Sequence, residues 1–302
     1  MGSEVLRFAC TQCGRCCNRS PEVELSEAGG LADVFVFRLM FRLYFLPRRL
    51  SDYAALGTAN KSSIFYEKKR LLEAFAARKY SAKVRRDSKA VDYTKYLMIS
   101  ALALDTRPGA CAALDGNLCG IYDRRPLSCR SVPFHYSRAE ASAAIDLKAF
   151  VETTGYRCDV SEVAEVVLRD GRIIASEAKA ARSEAVEIAS RDRSWSEAIV
   201  RRMAADTLPG RSLPRMQDIE GNAQFGAITT SMRAAWQVAA DVGLINRAEC
   251  ERLIERQLAV IDRELSLETC SSEELKTLLE MRSEYRRHLA GGHGVSVSGM
   301  SG

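Results

Sequence analysis

The chain has 302 residues, of which 47% are hydrophobic and 27% are charged, so it can bury a sizeable core and has the composition of an ordinary soluble globular protein. Its formal net charge of +5 is too small to indicate a nucleic-acid-binding protein by itself. No apolar signal-peptide core precedes the first cysteine, and the longest apolar run, Leu31–Leu46, is short for a membrane-spanning helix and contains two arginines. We therefore expect a cytoplasmic protein without a transmembrane segment, a compartment in which thiols stay reduced.

Four of the ten cysteines lie close together near the N-terminus, in the run Cys10-Thr-Gln-Cys13-Gly-Arg-Cys16-Cys17. Each Cys-x-x-Cys step can turn two sulfurs onto one ion at about 2.3 Å. Gly14 can adopt the positive φ that such a tight loop often needs. A metal, a disulfide framework and a redox exchange are the three uses of such a cluster, and a reducing compartment favours the metal. The pattern does not select one metal.

The next segments are predicted as helices. Glu24–Glu27 has the pattern of a helix start, with Ser26 as the candidate N-cap. Leu31–Leu46 is apolar nearly all round and predicts a buried helix that ends at Pro47, with membrane-surface docking or a partner groove as the alternative.

Lys61–Lys95 is the most basic part of the chain, with eleven Lys and Arg residues and four acids. Apolar residues recur there at helical spacing, which predicts one amphipathic helix followed by a loop. The charges indicate either a solvated face or a docking surface for an acidic partner or RNA, although no motif of a known RNA or DNA reader is present.

A second group of cysteines follows an apolar stretch, Tyr93–Leu104, which is typical of a strand or a buried segment. Asp105–Gly109 is predicted as a turn. Asp115-Gly116-Asn117 predicts a hairpin that brings Cys111 and Cys119 together.

From about Ser161 the composition becomes helical, with a turn predicted at Arg169–Arg172 and a linker at Asp206–Asp218. Beyond the linker we predict three helices and a Gly/Ser-rich tail that is disordered. The predicted helices are Gln224–Val242, which stops at Gly243; Arg247–Leu265; and one that begins at the capping box Ser271–Glu274 and ends at Gly291-Gly292.

Eight thiolates in the first 158 residues could complete two tetrahedral sites or hold iron–sulfur clusters. The adjacent Cys16 and Cys17 point to opposite sides of an extended backbone, so one of them is expected to serve a second ion, bridge, or not ligate. Nearby arginines could offset the thiolate charge; these are Arg15, Arg124, Arg125 and Arg130. A closed zinc site that only staples the fold is the structural alternative. Cys250 and Cys270, in the helical part, are expected to pack as small hydrophobic residues.

Among the other polar candidates, His135 is expected to be a satisfied imidazole that does not ligate, and His288 and His293 are expected to be exposed. Asp123 is expected to form a turn or an ion pair with Arg124 or Arg125.

Two motifs together resemble a known family. Phe8-x-Cys10-x-x-Cys13-Gly-x-Cys16-Cys17 and Cys119-Gly-Ile-Tyr-x-Arg-Arg-Pro-x-x-Cys129-Arg-x-x-Pro-Phe134 are similar to the motifs of the CxxCxxCC cysteine-cluster family, also called YkgJ-like, a zinc- or iron-chelating domain. The resemblance covers about residues 8–160. It implies that eight cysteines match the family's ligand positions: Cys10, Cys13, Cys16, Cys17, Cys111, Cys119, Cys129 and Cys158. It also implies a distant relationship to flagellin lysine N-methylase, an iron–sulfur enzyme that uses S-adenosylmethionine.

The chain departs from the family pattern in two places. The basic segment between Cys17 and Cys111 has no assigned place in the family core. Asp-Val follows Cys158 where Pro and Gly are common, so Cys158 is the least secure of the matches.

We predict an α+β fold: a small cysteine-cluster domain of short strands, turns and helices with a mainly helical C-terminal part. The predicted division is 1–160 for the metal-binding domain, with a basic helical insertion at about 47–95, then 161–290 for the helical region and 291–302 for a disordered tail.

Three functions follow from the sequence. The first is a bacterial-type cytosolic protein that binds zinc, iron or an iron–sulfur cluster and acts in metal handling, redox chemistry or the maturation of another protein. The second is an S-adenosylmethionine-dependent protein-lysine N-methylase-like enzyme, and the third is a partner-binding module with a structural zinc site. The expected partner is another protein, acidic in one version, that contacts Lys61–Lys95 or the C-terminal helices; nucleic acid is not expected.

Overall fold

A computed structural model describes residues 4–54, 60–86, 89–205, 212–222, 226–267 and 269–292. The fold is α+β with a mainly helical C-terminal part, as the sequence predicts. No helix in the described ranges combines the length and the apolar character needed to cross a lipid bilayer.

The described residues form nine helices and ten strands. The helices are α1 Leu25–Gly30, α2 Lys61–Phe75, α3 Leu127–Arg130, α4 Ala143–Val151, α5 Ser176–Ala205, α6 Met216–Asn222, α7 Arg233–Asp241, α8 Arg247–Ser266 and α9 Ser272–Gly292. The strands are β1 Val5–Arg7, β2 Glu22–Val23, β3 Phe37–Pro47, β4 Arg78–Arg86, β5 Lys89–Ala103, β6 Leu114–Asp115, β7 Leu118–Cys119, β8 Val166–Arg169, β9 Arg172–Ile173 and β10 Ala227–Ser231.

The largest sheet is antiparallel and is built around β3 and β5, which pair from Phe37↔Ala103 to Pro47↔Tyr93. Its order is β10-β3-β5-β2, and β4 also pairs with β5. A smaller sheet has the order β1-β8-β9, and β6 and β7 form a separate hairpin. The strand predicted within Tyr93–Leu104 is therefore confirmed as the C-terminal part of β5.

The helix predicted over Leu31–Leu46 is wrong, because most of this run is strand β3. Arg38 and Arg42 are four residues apart, a spacing that places two residues on one face of a helix and also on one face of a strand. Since β3 is largely buried on both sides, the strand reads as a continuous apolar run without alternation, and periodicity cannot separate the two structures.

Two other predictions are partly wrong because they also missed strands. The single helix predicted over Gln224–Val242 is strand β10 followed by helix α7, with residues 223–225 outside the described residues. The loop predicted after α2 is the pair β4 and β5. The basic β4 lies at an edge of the sheet, a position that tolerates charged side chains on its exposed side.

The local turn and cap signals are mostly confirmed. The hairpin turns at Gly116 and Gly171 have φ of 59° and 73°, and Gly243 ends the segment after α7 with φ of 76°. Ser271 and Glu274 exchange capping-box hydrogen bonds of 2.9 and 3.3 Å. The N-cap prediction for α1 is wrong by two residues, because Glu24 and not Ser26 occupies that position.

Two further predictions fall partly or wholly outside the described residues. Of the predicted linker Asp206–Asp218, residues 206–211 are not described, and α6 begins at Met216. The predicted disordered tail lies outside the described residues from 293 onward.

The main hydrophobic core crosses the predicted domain boundary at residue 160. One face of β3 contributes Phe37, Leu39 and Phe41, and helices α5, α7, α8 and α9 pack against the same core. The division into 1–160 and 161–290 stays a prediction. Within the core, the helical region and the sheet that supports the cysteine segments are one packed unit.

Gln257 of α8 fixes the turn that leads into β3. Its side-chain oxygen accepts a hydrogen bond from the Phe37 amide at 2.7 Å, and its amide nitrogen donates to the carbonyls of Ala32 and Phe35 at 2.9 and 2.6 Å. The Gln257 side chain is fully buried. These three bonds satisfy backbone groups that have no ladder partner at the start of the strand.

We predict that Gln257→Leu lowers the free energy of unfolding by about 3 kcal/mol, because buried backbone groups lose their only partners. Urea unfolding followed by circular dichroism measures this change. Glu255→Leu, an exposed position two residues away on α8, is the control and should change stability little. Equal stability of the two variants would contradict the assigned role of Gln257.

Candidate metal centre

The N-terminal cysteine run lies beside the last cysteine of the second group. β1 pairs with β8, and the pairing continues as a bridge in which Ala9 and Asp159 exchange backbone hydrogen bonds of 2.8 and 3.0 Å. The Thr11 hydroxyl donates to the Arg157 carbonyl at 2.5 Å. Because the bridge flanks both Cys10 and Cys158, it sets these two residues side by side although 148 positions separate them.

The cysteine run has no regular secondary structure and contains one tight turn, from Gly14 to Cys17. Gln12 and Gly14 have φ of 56° and 69°, and the Cys17 amide donates to the Gly14 carbonyl at 3.1 Å. A Cβ at Gly14 would lie only 3.2 Å from the backbone of Asn117. Position 14 therefore requires glycine for two reasons: its φ is positive, and the β6–β7 hairpin approaches its backbone closely.

The second cysteine group is joined to the first through the backbone of Cys17, whose carbonyl accepts from the Cys111 amide at 2.8 Å. The β6–β7 hairpin pairs Leu114 with Cys119 and so returns Cys119 toward Cys111, which confirms the hairpin predicted from the sequence. Cys129 lies on the short helix α3.

Electrostatic interactions divide the eight thiols into two groups of four. In the outer group, Cys158 interacts with Cys10, Cys13 and Cys16. In the inner group, Cys17 interacts with Cys111 and Cys129, and both of these interact with Cys119. The Cys16–Cys17 pair links the groups through a hydrogen bond between the two sulfurs. Cys10 is exposed and the other seven are half-buried.

The local environment changes the acidity of several thiols. A hydrogen bond from the Arg15 amide lowers the pKa of Cys13. A hydrogen bond from the Cys17 thiol lowers the pKa of Cys16 to about 6, and the same bond raises the pKa of Cys17. Burial, followed by the charges of neighbouring thiols, raises the pKa of Cys129 to about 12 and that of Cys158 to about 11.

Burial and then the charges of neighbouring thiols disfavour the thiolate form of Cys111, Cys129 and Cys158 and so raise the pKa of each. A bound cation would oppose both effects because it stabilises the thiolate. Within the part of the chain that the structure describes, no three Cys, His, Asp or Glu side chains are arranged as closely as a metal ion requires. Each group nevertheless consists of four thiols. Thiolates are soft ligands, and zinc and iron bind such ligands well.

All ten cysteines are described and all are free thiols. Cys250 is buried, as predicted, and Cys270 is half-buried with its Sγ 3.5 Å from the Thr106 carbonyl oxygen. Both belong to the main hydrophobic core or pack against it.

The prediction that arginines beside the cysteines offset the thiolate charge is largely wrong. Arg124 pairs with Asp33 at 3.0 Å, Arg125 with Glu177 at 2.8 Å and Arg130 with Glu184 at 2.9 Å. These ion pairs tie the segment that carries Cys129 to the loop before β3 and to α5. Of the three, Arg125 also opposes the rise in the pKa of Cys129.

Asp123 lies in the 3₁₀ turn Tyr122–Arg124, which confirms the first of the two alternatives predicted for it. Its predicted ion-pair partners, Arg124 and Arg125, pair with Asp33 and Glu177. Asp123 itself is exposed.

The histidine predictions have mixed outcomes. His135 Nδ1 accepts from the Ser137 amide at 3.2 Å, and its ring stacks on Tyr136 at 4.5 Å, so the imidazole is satisfied. Burial, and then the positive charges of Arg138 and Arg182, lower the pKa of His135 to about 4. The exposure predicted for His288 is wrong, since it is half-buried and 3.2 Å from the Gln237 side chain. His293 lies outside the described residues.

A comparison with protein families matches residues 9–159 to the CxxCxxCC family, described as a putative zinc- or iron-chelating domain. The match covers half of the chain. The chain belongs to the CxxCxxCC family. Comparisons with curated proteins and with solved structures found no match.

Carboxylates at the N-cap and in the first turn of α1 position the CxxCxxCC segment that carries Cys129. Glu27 accepts hydrogen bonds from the amides of Leu127 and Glu24 at 2.9 and 3.0 Å, and the Tyr136 hydroxyl donates to Glu24 at 3.0 Å. Burial raises the pKa of Glu24 to about 8. Sequence reasoning missed this network because its members are about 100 residues apart and each is an unremarkable residue type at its position.

All eight cysteines of the CxxCxxCC domain line one large cleft with a volume of about 1630 Å³. The sheet forms another wall, where Arg42 contacts Glu22 and the Tyr44 hydroxyl at 3.1 Å each and Ser100 donates to Glu22 at 2.8 Å. One face of α2 completes the cleft. No motif in the sequence signalled this cleft, which forms only where the sheet, α2 and the cysteine segments meet.

We predict that stability falls with rising pH in the window set by Glu24. The unfolded chain releases this proton near pH 4.5 and the folded chain near pH 8, so the folded state binds the extra proton between these values. Across this pH window the free energy of unfolding should fall less for Glu24→Gln than for wild type. At the alkaline end of the window the variant should be more stable than wild type.

Urea unfolding at several pH values measures this difference, and subtraction of the wild-type curve cancels the titration of other groups. Glu187→Gln, at an exposed position on α5, is the control. Parallel curves for wild type and Glu24→Gln would show that Glu24 is not the group responsible.

Proposed function

We propose that this protein binds zinc or iron at two sites of four thiolates each, an outer site of Cys10, Cys13, Cys16 and Cys158 and an inner site of Cys17, Cys111, Cys119 and Cys129. The observation that carries the proposal is that all eight thiols line one cleft, where the Ala9–Asp159 bridge places Cys10 beside Cys158 and a backbone hydrogen bond joins Cys17 to Cys111. The mutual effects of the thiols on their pKa values follow the same grouping. Four thiolates are the usual ligand set of a tetrahedral zinc site and of an iron–sulfur cluster.

The two sites differ in access. The outer site contains the exposed Cys10. The inner site contains Cys129, and burial of its thiol raises its pKa. An accessible site suits an ion that is exchanged or a centre that is oxidised and reduced, and an enclosed site suits an ion that supports the fold. The activity that fits this pair is metal handling, redox chemistry or maturation of another protein, in the cytosol, where thiols stay reduced.

The cleft favours the enzyme as the second candidate. Its volume of about 1630 Å³ exceeds the roughly 300–1,000 Å³ of typical small-molecule sites, so it has room for an organic cofactor beside the thiols. S-adenosylmethionine is the cofactor under this candidate. The third candidate, a partner-binding module, relies on the basic segment Lys61–Lys95, where the side chains of Lys69 and Arg70 are exposed and could contact an acidic partner.

We predict that the protein, purified anaerobically, contains metal at both sites. Cys13→Ala should lose the metal of the outer site, and Cys17→Ala should lose the metal of the inner site. Each substitution removes one of four ligands, and metal binding is coupled to folding, so soluble yield should fall as well. Metal analysis against protein concentration measures the loss.

Cys270→Ala, outside both groups, is the matched control and should keep the wild-type metal content. Unchanged metal in the Cys13 variant would show that Cys13 is not a ligand. A loss in the Cys270 variant equal to the other two would show that the measured metal is not bound at the proposed sites.

The same samples separate the candidate functions. Iron–sulfur clusters give a brown protein with visible absorbance, whereas a colourless protein with stoichiometric zinc supports the structural-zinc candidate. The enzyme candidate requires S-adenosylmethionine to bind the metal-loaded protein, with calorimetry as the measurement. Absence of binding heat would remove that candidate without affecting the metal sites.

A further inference from the structure

The face of α2 that lines the cleft contains one charged residue in an apolar row. Ile64, Lys68, Leu71, Leu72 and Phe75 all line the cleft, at the spacing of one helix face. Leu71 and Leu72 are buried, and Phe75 packs against Tyr136 with 5.6 Å between ring centroids. Lys68 therefore projects from an apolar surface toward the space between α2 and the cysteine segments.

The ammonium group of Lys68 lacks an anionic partner among the described residues. It lies 5.8 Å from the centre of the Tyr53 ring, and burial lowers its pKa. Its acidic neighbour Glu67 is already used, since it accepts from the amides of Glu140 and Ala141 at 2.7 and 3.1 Å. A half-buried cation without a carboxylate partner is costly unless something else supplies the negative charge.

Four other cations that line the cleft are paired within the protein, and a fifth, Arg19, lies beside the cysteine run with its side chain exposed. Arg42 pairs with Glu22 at 3.1 Å and Arg138 with Asp146 at 2.8 Å. The same holds for Arg125 and Arg130, which bind carboxylates of α5. Lys68 differs from the four paired residues in that its charge remains available to a molecule in the cleft.

The remaining surface near α2 suits an organic body. Tyr44, Tyr53 and Met98 pack around the buried Phe65 and Leu72 and offer rings and apolar area. Further along, His135 accepts at Nδ1 from an amide, so its neutral ring carries the proton on Nε2 and can donate one hydrogen bond. Cation, rings and donor are all exposed to the same cleft.

We propose that the cleft binds an organic anion, a carboxylate or a phosphate ester with a ring-sized apolar body, whose anionic group pairs with Lys68 and whose body packs on Tyr53 and α2. This inference goes beyond metal binding and does not depend on which metal the thiols hold. The charge-assisted contact supplies affinity for the anionic group, and the apolar wall supplies affinity for the body.

Calorimetry of the full-length, metal-loaded protein with phenyl phosphate, benzoate and benzyl alcohol tests the proposal. We expect at least one anion to bind and the neutral alcohol to bind more weakly; whichever anion binds identifies the anionic group. Lys68→Met should raise the dissociation constant about tenfold, as expected for loss of one charged hydrogen bond. Lys69→Met, the exposed neighbour with the same charge change, should bind as wild type does.

A second measurement uses the wild-type protein and therefore does not depend on whether a variant folds. Limited acetylation read by mass spectrometry should show that the bound anion slows modification of Lys68 and not of Lys69. Equal binding of the alcohol and both anions, no binding of any probe, or equal weakening by the two lysine variants would overturn the proposal. Metal content is measured in the same samples, so failure of the metal sites and failure of anion binding are recorded separately.

Discussion

The candidate metal centre depends on a few backbone hydrogen bonds that fix the N-terminal cysteine run between two distant segments. On one side Ala9 and Asp159 pair as a continuation of β1 and β8. On the other side the Cys111 amide donates to the Cys17 carbonyl at 2.8 Å. Neither contact involves a sulfur atom. The backbone therefore gathers the cysteine segments around one cleft, and such preordering would reduce the entropy cost of arranging the ligands of the metal ions that we propose.

The arginine-rich motif around Cys129 has a supporting role in this scaffold. Its guanidinium groups bind Asp33, Glu177 and Glu184, and Glu27 holds the amide of Leu127 two residues before Cys129. Salt bridges at the surface contribute little stability individually, but several directed at one short segment restrict its position. The long helix α5 and the sheet thus determine where the segment with Cys129 lies, which connects the helical C-terminal part to the candidate metal centre.

The sequence predicted most local turns and caps well and the sheet poorly, for physical reasons. Turns at Gly116 and Gly171, the cap at Ser271 and the hairpin between Cys111 and Cys119 are determined by neighbouring residues, so local patterns identify them. Strand β3 is stabilised by β5, β10 and Gln257, which lie about 50 to 220 residues away, and local pattern alone favoured a helix. The cleft and the unpaired Lys68 depend on the same long-range packing, and no pattern within a window of sequence contains that information.

The adjacent Cys16 and Cys17 have a consequence for how the two proposed sites interact. Because a single peptide bond joins them, an ion that fixes one sulfur also restricts the backbone of the other. The hydrogen bond between their thiols lowers the pKa of Cys16 and raises that of Cys17. Since the proposed assignment places Cys16 in the outer site and Cys17 in the inner site, a cation held by Cys16 would withdraw the hydrogen-bond acceptor that raises the pKa of Cys17, and the two sites would be linked through this pair of thiols.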